Sequence, residues 1–236
     1  MRRGLLILIV CGVLITLAFF TTPYWLLQTE VFDYVDASRD YRPVPTSVTT
    51  RKDFRIGYTH DPVVIVFHGN TIGFNEYSYI ANFFALRGYE VISIQNDIQG
   101  IDFPLMTIPN KPYVGREEIY RRSEANVFFV LDQLGIEKKN LTLIGHSNGG
   151  DVALYFANKH PEMIRKVITL DNLRYPLMGK FGITSFRSKD PDFVPDPGVI
   201  RNSKEIKLIE TNARHVDMSD RGPTAVQDMI LKELEK

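Results

Sequence analysis

Ser147 is the residue whose surroundings best suit a nucleophile. It stands in Gly145-His146-Ser147-Asn148-Gly149, after the apolar run 141–144 and before a stretch of helical spacing over 148–158. A strand, a tight reversal and a helix with serine at the reversal lift the hydroxyl above the end of a sheet. There the helix folds back over its own strand, so a Cβ at 145 or 149 would strike the neighbouring backbone; Gly150 relaxes the crowding further. The serine backbone is expected to carry roughly 1–3 kcal/mol of strain. A serine hydroxyl also needs a base to take its proton. The five histidines at 60, 68, 146, 160 and 215 are the candidates. His146 lies inside the motif and should point away from the serine, while His60 and His160 fall in loops and suit surface roles. His215 follows a strand and a short loop; its rival role is a loop histidine bonded to Asp217.

The elements that would carry these residues alternate. Strands are expected over 63–67, 91–94, 141–144, 166–170, 183–186 and 206–209, and helices over 75–87, 116–134, 148–158 and 224–234. The run Val63, Val64, Ile65, Val66, Phe67 is apolar throughout, as in a parallel strand buried on both faces. Gly88 and Gly135 stand just past two of the helices, where glycine commonly ends them. Such alternation predicts an α/β fold, a mostly parallel central sheet flanked by helices. Ligands of these sheets bind beyond the carboxyl ends of the strands. Ser147, His68, Asp171, Asp190 and His215 all follow predicted strands and should gather at that edge. Residues 28–61, broken by Pro43 and Pro45, read as a tether with one or two edge strands. The domain proper runs over 62–236.

From about Pro62 to the C-terminus the chain resembles the α/β-hydrolase superfamily, through the Gly-x-Ser-x-Gly turn between strand and helix. The resemblance implies a triad in the chain order serine, acid, histidine, with His215 as base and Asp190 as acid, in the loop that continues to Val194-Pro195. Asp192 and Asp171 are the alternative acids. It also implies an oxyanion site made by the backbone N–H groups of Asn148 and Asn70, the latter after His68-Gly69. His68 then organises its loop. The loop lacks the triple glycine of many lipases, which gives no support to a preference for esters of bulky alcohols. Residues 171–182 leave no room for a cap domain. The long loop 97–115 could overhang the site, with Phe103, Leu105 and Met106 as an apolar substrate wall.

Residues 4–27 carry no charge and follow Arg2 and Arg3, which fits a membrane-spanning helix with its N-terminus in the cytoplasm and the remainder exported. A cleaved leader, with secretion, and lipid attachment at Cys11 are the alternatives. Lys+Arg and Asp+Glu balance at 28 each, so nothing favours nucleic acid. The single cysteine, Cys11, excludes an internal disulfide, and its place in the leader excludes a thiol nucleophile. No metal-binding, dinucleotide or phosphate-loop motif is present, and no cofactor is expected. The chemistry that remains is hydrolysis of a small acyl ester, a thioester or a lipid-like substrate through an acyl-enzyme. Amide or peptide hydrolysis by the same triad, and a non-catalytic binding protein on the same fold, are the alternatives.

Overall fold

The structure is a computed structural model and describes residues 23–53, 62–102 and 113–235. Among the described residues twelve strands and α-helices make the domain, beginning with the strands β1 (Leu27–Asp36), β2 (Arg42–Arg51) and β3 (Val63–Phe67). Helix α1 (Ser78–Leu86), strand β4 (Glu90–Ile94), helix α2 (Glu117–Leu134) and strand β5 (Leu141–His146) follow. Helix α3 (Asn148–Lys159), strands β6 (Ile164–Leu170), β7 (Gly182–Arg187) and β8 (Ile206–Glu210), and helix α4 (Thr224–Leu234) complete it. All eight strands join one sheet in the order β1-β2-β4-β3-β5-β6-β7-β8. From β4 to β8 every pairing is parallel; β1 and β2 form an antiparallel hairpin on one edge.

The sheet is buried on two faces, and β3 shows why its sequence is apolar throughout. Val63, Ile65 and Phe67 enter the core beneath α2 and α3, whereas Val64 and Val66 enter the core beneath α1 and α4. Successive strand side chains point to opposite faces, so a strand covered on both sides has no polar position to spare. Helix α2 stops where Gly135 takes φ 67°, a conformation open to glycine at little cost, and the Ile136 N–H returns to the Leu131 carbonyl at 2.9 Å.

Pro43 and Pro45 lie within β2 and do not interrupt it. The Pro45 carbonyl accepts the Gln95 N–H at 2.9 Å, so both prolines face the β4 side. A strand residue turns its nitrogen and its carbonyl to the same side. The missing N–H groups therefore fall just beyond the end of β4, and the ladder with β1 stays whole. Much of the segment expected as a tether with one or two edge strands is therefore two strands bonded into the same sheet as the core.

The expected membrane segment falls mostly on residues 1–22, outside the described residues. Its last part does not continue as a helix: Pro23–Leu26 form a 3-10 turn and Leu27 opens β1 with its side chain in the core. Among the described residues no helix is long and apolar enough to cross a membrane. The helix expected from Asn75 begins at Ser78. Glu76 is held in a turn, its N–H on the Gly73 carbonyl and its carboxylate on the Gly73 N–H, and this consumes the residues before it.

Candidate active site

The reversal between β5 and α3 places Ser147 at φ 53°, ψ −122°, a region that non-glycine residues rarely occupy. Two contacts impose it. A Cβ on Gly145 would sit 2.1 Å from the Gly149 carbonyl oxygen, and one on Gly149 would sit 2.3 Å from that of Phe67. The helix start thus lies directly on the strand ends, and only glycine permits the approach. The Ser147 N–H donates to the Leu170 carbonyl at the end of β6 (2.9 Å), which ties the turn to the next strand. Asn148 is the first residue of α3, where backbone N–H groups have no helical acceptor.

His215 follows β8 and is buried among the strand ends. Its Nδ1–H donates to Asp171 Oδ2 at 2.7 Å. The carboxylate on the ring is therefore that of Asp171 and not of Asp190, the acid expected from the sequence. Asp190 instead accepts the backbone N–H of His215 at 3.0 Å, and Asp192 lies exposed at the cavity rim. The reason is lateral reach. The Lys189 N–H donates to the Ala213 carbonyl and the Thr211 N–H to that of Arg187, so the chain after β8 runs on beside the end of β7. It carries the imidazole across β7 to the tip of β6, where Asp171 begins the loop. Asp217 bonds Arg214 rather than the ring.

Asp171 is built to stay ionised. Burial alone would raise its pKa. The hydrogen bond from His215, the Arg187 guanidinium 3.0 Å away, and the Ser188 hydroxyl and N–H (2.6 and 3.0 Å) outweigh burial and hold it below the ordinary carboxylate value. Phe193 stacks on the imidazole, with ring centroids 4.0 Å apart and planes 8° from parallel. His215 is thus fixed through its ring nitrogen, its backbone and one ring face.

Ser147 and His215 line one cavity of about 340 Å³, together with Asn70, Asn148 and Arg116. No hydrogen bond joins the serine hydroxyl to the ring among the described residues; such bonds are often long without substrate and tighten with it. Asn70 sits on a ridge, residues 69–72, held from both sides. The Ile72 N–H closes a turn onto the Gly69 carbonyl, and Arg221 donates to the Thr71 carbonyl at 3.1 Å. His68, under the ridge, spends both ring nitrogens on backbone: Nδ1–H donates to the Gly69 carbonyl and Nε2 accepts the Asn96 N–H. Burial lowers its pKa and keeps it neutral. Phe103, Leu105, Met106 and His60 lie outside the described residues. His160 bonds Glu124 on the far flank of the domain.

An alpha/beta hydrolase fold family model matches residues 62–194, more than half of the chain. The chain belongs to the α/β-hydrolase family. It is 28% identical over 113 residues to a 2-hydroxy-6-oxononadienedioate/2-hydroxy-6-oxononatrienedioate hydrolase of a Pseudomonas species, a match covering 47% of the chain but only 36% of that enzyme. Among solved structures it resembles mouse alpha/beta hydrolase domain-containing protein 10 (TM-score 0.61, 12% identity, 88% of this chain and 97% of that one). It also resembles a serine hydrolase of Cycloclasticus zankles (0.61, 11%, 89% and 98%) and a dienelactone hydrolase-like promiscuous phosphotriesterase from metagenomic libraries (0.58, 17%, 80% and 84%). At these identities the structural likenesses establish the fold.

Sequence reasoning ranked Asp171 behind Asp190 and passed over other residues that shape the site. Asp171 carried a usable signal, since it abuts its strand directly and Asp190 does not. Arg187 and Ser188, which fix Asp171, and Phe193 carried none, because each works through a neighbour on another segment. Asp151, buried in the first turn of α3, accepts the N–H groups of Arg174 and Tyr175 at 2.9 and 2.8 Å and pins the loop after Asp171 to the helix. Its burial pushes its pKa up to about 6.

Proposed function

We propose that the enzyme cleaves a carboxylic ester or thioester through an acyl-enzyme on Ser147. The observation that carries this is the 2.7 Å bond from His215 to Asp171, with His215 and Ser147 facing one cavity. Asp171 fixes the proton on Nδ1, which leaves Nε2 as the base. His215 Nε2 takes the serine proton as Oγ adds to the substrate carbonyl. The N–H groups of Asn148 and Asn70 receive the developing oxyanion, each worth about 3–4 kcal/mol in comparable sites. His215 then returns its proton to the leaving alcohol or thiol, and water, activated by the same imidazole, releases the acid. The cavity of about 340 Å³, with no cap over it among the described residues, suits a compact acyl group. The uncharged leader is proposed to hold the domain at the extracytoplasmic face of a membrane; release of the full chain by carbonate wash would refute that.

A fluorophosphonate probe is the direct test. It should label wild-type protein and not Ser147→Ala. Folded wild-type protein that takes no label would favour a non-catalytic binding role.

A further inference from the structure

The oxyanion ridge and the base come from chain segments more than 140 residues apart, and one chain of buried hydrogen bonds connects them. Tyr77 precedes α1, and His146 ends β5, one residue before the serine. Both side chains are almost wholly buried. The Gly69 N–H donates to the Tyr77 hydroxyl at 2.9 Å. The hydroxyl lies 2.9 Å from His146 Nδ1, and His146 Nε2 lies 2.9 Å from the backbone carbonyl of His215. A single proton arrangement satisfies every member. The carbonyl can only accept, so His146 carries its proton on Nε2, and Nδ1 must accept from Tyr77. The hydroxyl oxygen is then left to accept from Gly69. Burial, followed by the neighbouring His215, lowers the His146 pKa to about 3, so the ring stays neutral in this arrangement. The fit is close: a Cβ on Gly69 would lie 2.9 Å from His146 Nδ1.

We propose that Tyr77 and His146 are positioning residues that lock the oxyanion ridge to the backbone of His215, so that proton acceptor and oxyanion donors hold one fixed separation. This rests on the Ser147–His215 chemistry proposed above. Tyr77 lies outside the cavity, and His146 packs against the His215 ring with centroids 4.8 Å apart. Gly69 is the residue before Asn70, and His215 is held by its own carbonyl, so slack in the relay displaces both partners of the transition state. Misplacement by about 1 Å in such a site costs on the order of 100-fold in rate. Tyr77 does not line the cavity, so its replacement should change substrate binding little.

Tyr77→Phe removes one oxygen and keeps the ring. With p-nitrophenyl butyrate it should lower kcat about 10- to 100-fold and leave KM within about 2-fold. Affinity for an alkyl trifluoromethyl ketone, which forms a tetrahedral adduct, should fall by a similar factor. His146→Gln, which can still donate to the His215 carbonyl, should retain more kcat than His146→Leu. If Tyr77→Phe does not fold, the His146 pair decides. A folded Tyr77→Phe with wild-type kcat, or equal kcat in the two His146 variants, would reduce the relay to ordinary satisfaction of buried polar groups. Loss of fluorophosphonate labelling in the wild type would instead remove the catalytic chemistry, and the relay's role with it.

Discussion

Replacing each of the two rival acids by its amide separates their roles. In Asp171→Asn, the carboxylate that accepts Nδ1–H at 2.7 Å is lost, and the Arg187 guanidinium 3.0 Å away faces a neutral group. An amide can present N–H to the imidazole, which favours the tautomer with its proton on Nε2. That tautomer cannot accept the serine proton. In a serine triad this change costs on the order of 10⁴ in kcat, which corresponds to about 5.5 kcal/mol of transition-state stabilisation. Asp190→Asn is a smaller change. The amide oxygen can still accept the backbone N–H of His215, now at 3.0 Å without charge assistance. The loss should be about 1 kcal/mol, near 5-fold in rate. Steady-state hydrolysis of p-nitrophenyl butyrate, with urea unfolding of each variant to confirm the fold, measures both. Near wild-type turnover in Asp171→Asn, with a 1000-fold loss in Asp190→Asn, would overturn the assignment of the acid.

The remaining expectations concern pH and the architecture beneath the site. Asp151→Asn should stabilise the protein at neutral pH. The folded pKa of Asp151 lies above its unfolded value, so its ionisation opposes folding: the wild type loses stability as pH rises from about 4 to 6, by roughly 2–3 kcal/mol in all. The variant, lacking that proton, should show a flatter profile in urea titrations across that window; parallel profiles would contradict the shift. Gly149→Ala places a Cβ 2.3 Å from the Phe67 carbonyl oxygen. The strand end and helix start must part, so esterase activity should fall at least about 100-fold; full activity would mean that the close approach is dispensable.

Local chemistry wrote much of this protein into its sequence. Strand β3 is legible because a strand covered on both faces must be apolar along its length, whatever it later packs against, whereas the edge strand β8 sets Lys207 between Ile206 and Leu208. The end of α2 is legible because Gly135 supplies its left-handed turn within two residues. The Ser147 turn is legible for the same reason: the crowding that demands Gly145 and Gly149 arises between elements adjacent in the chain.

What tertiary structure decided lies in groups that meet from distant segments. The start of α1 is capped by the Asp220 carboxylate, which accepts the N–H groups of Ser78 and Tyr79 from about 140 residues away. The choice of Asp171 over Asp190 depends on how far the chain after β8 extends sideways before it turns, a distance set by bonds between the β7 and β8 loops. His146 reads in sequence as a spare residue within a motif and becomes in space a link between two halves of the site. Residue type and spacing determine which groups stand at the sheet edge, because periodicity is local. Which of them touch is settled by lateral displacements of a few ångströms, and those depend on the packing of the whole domain.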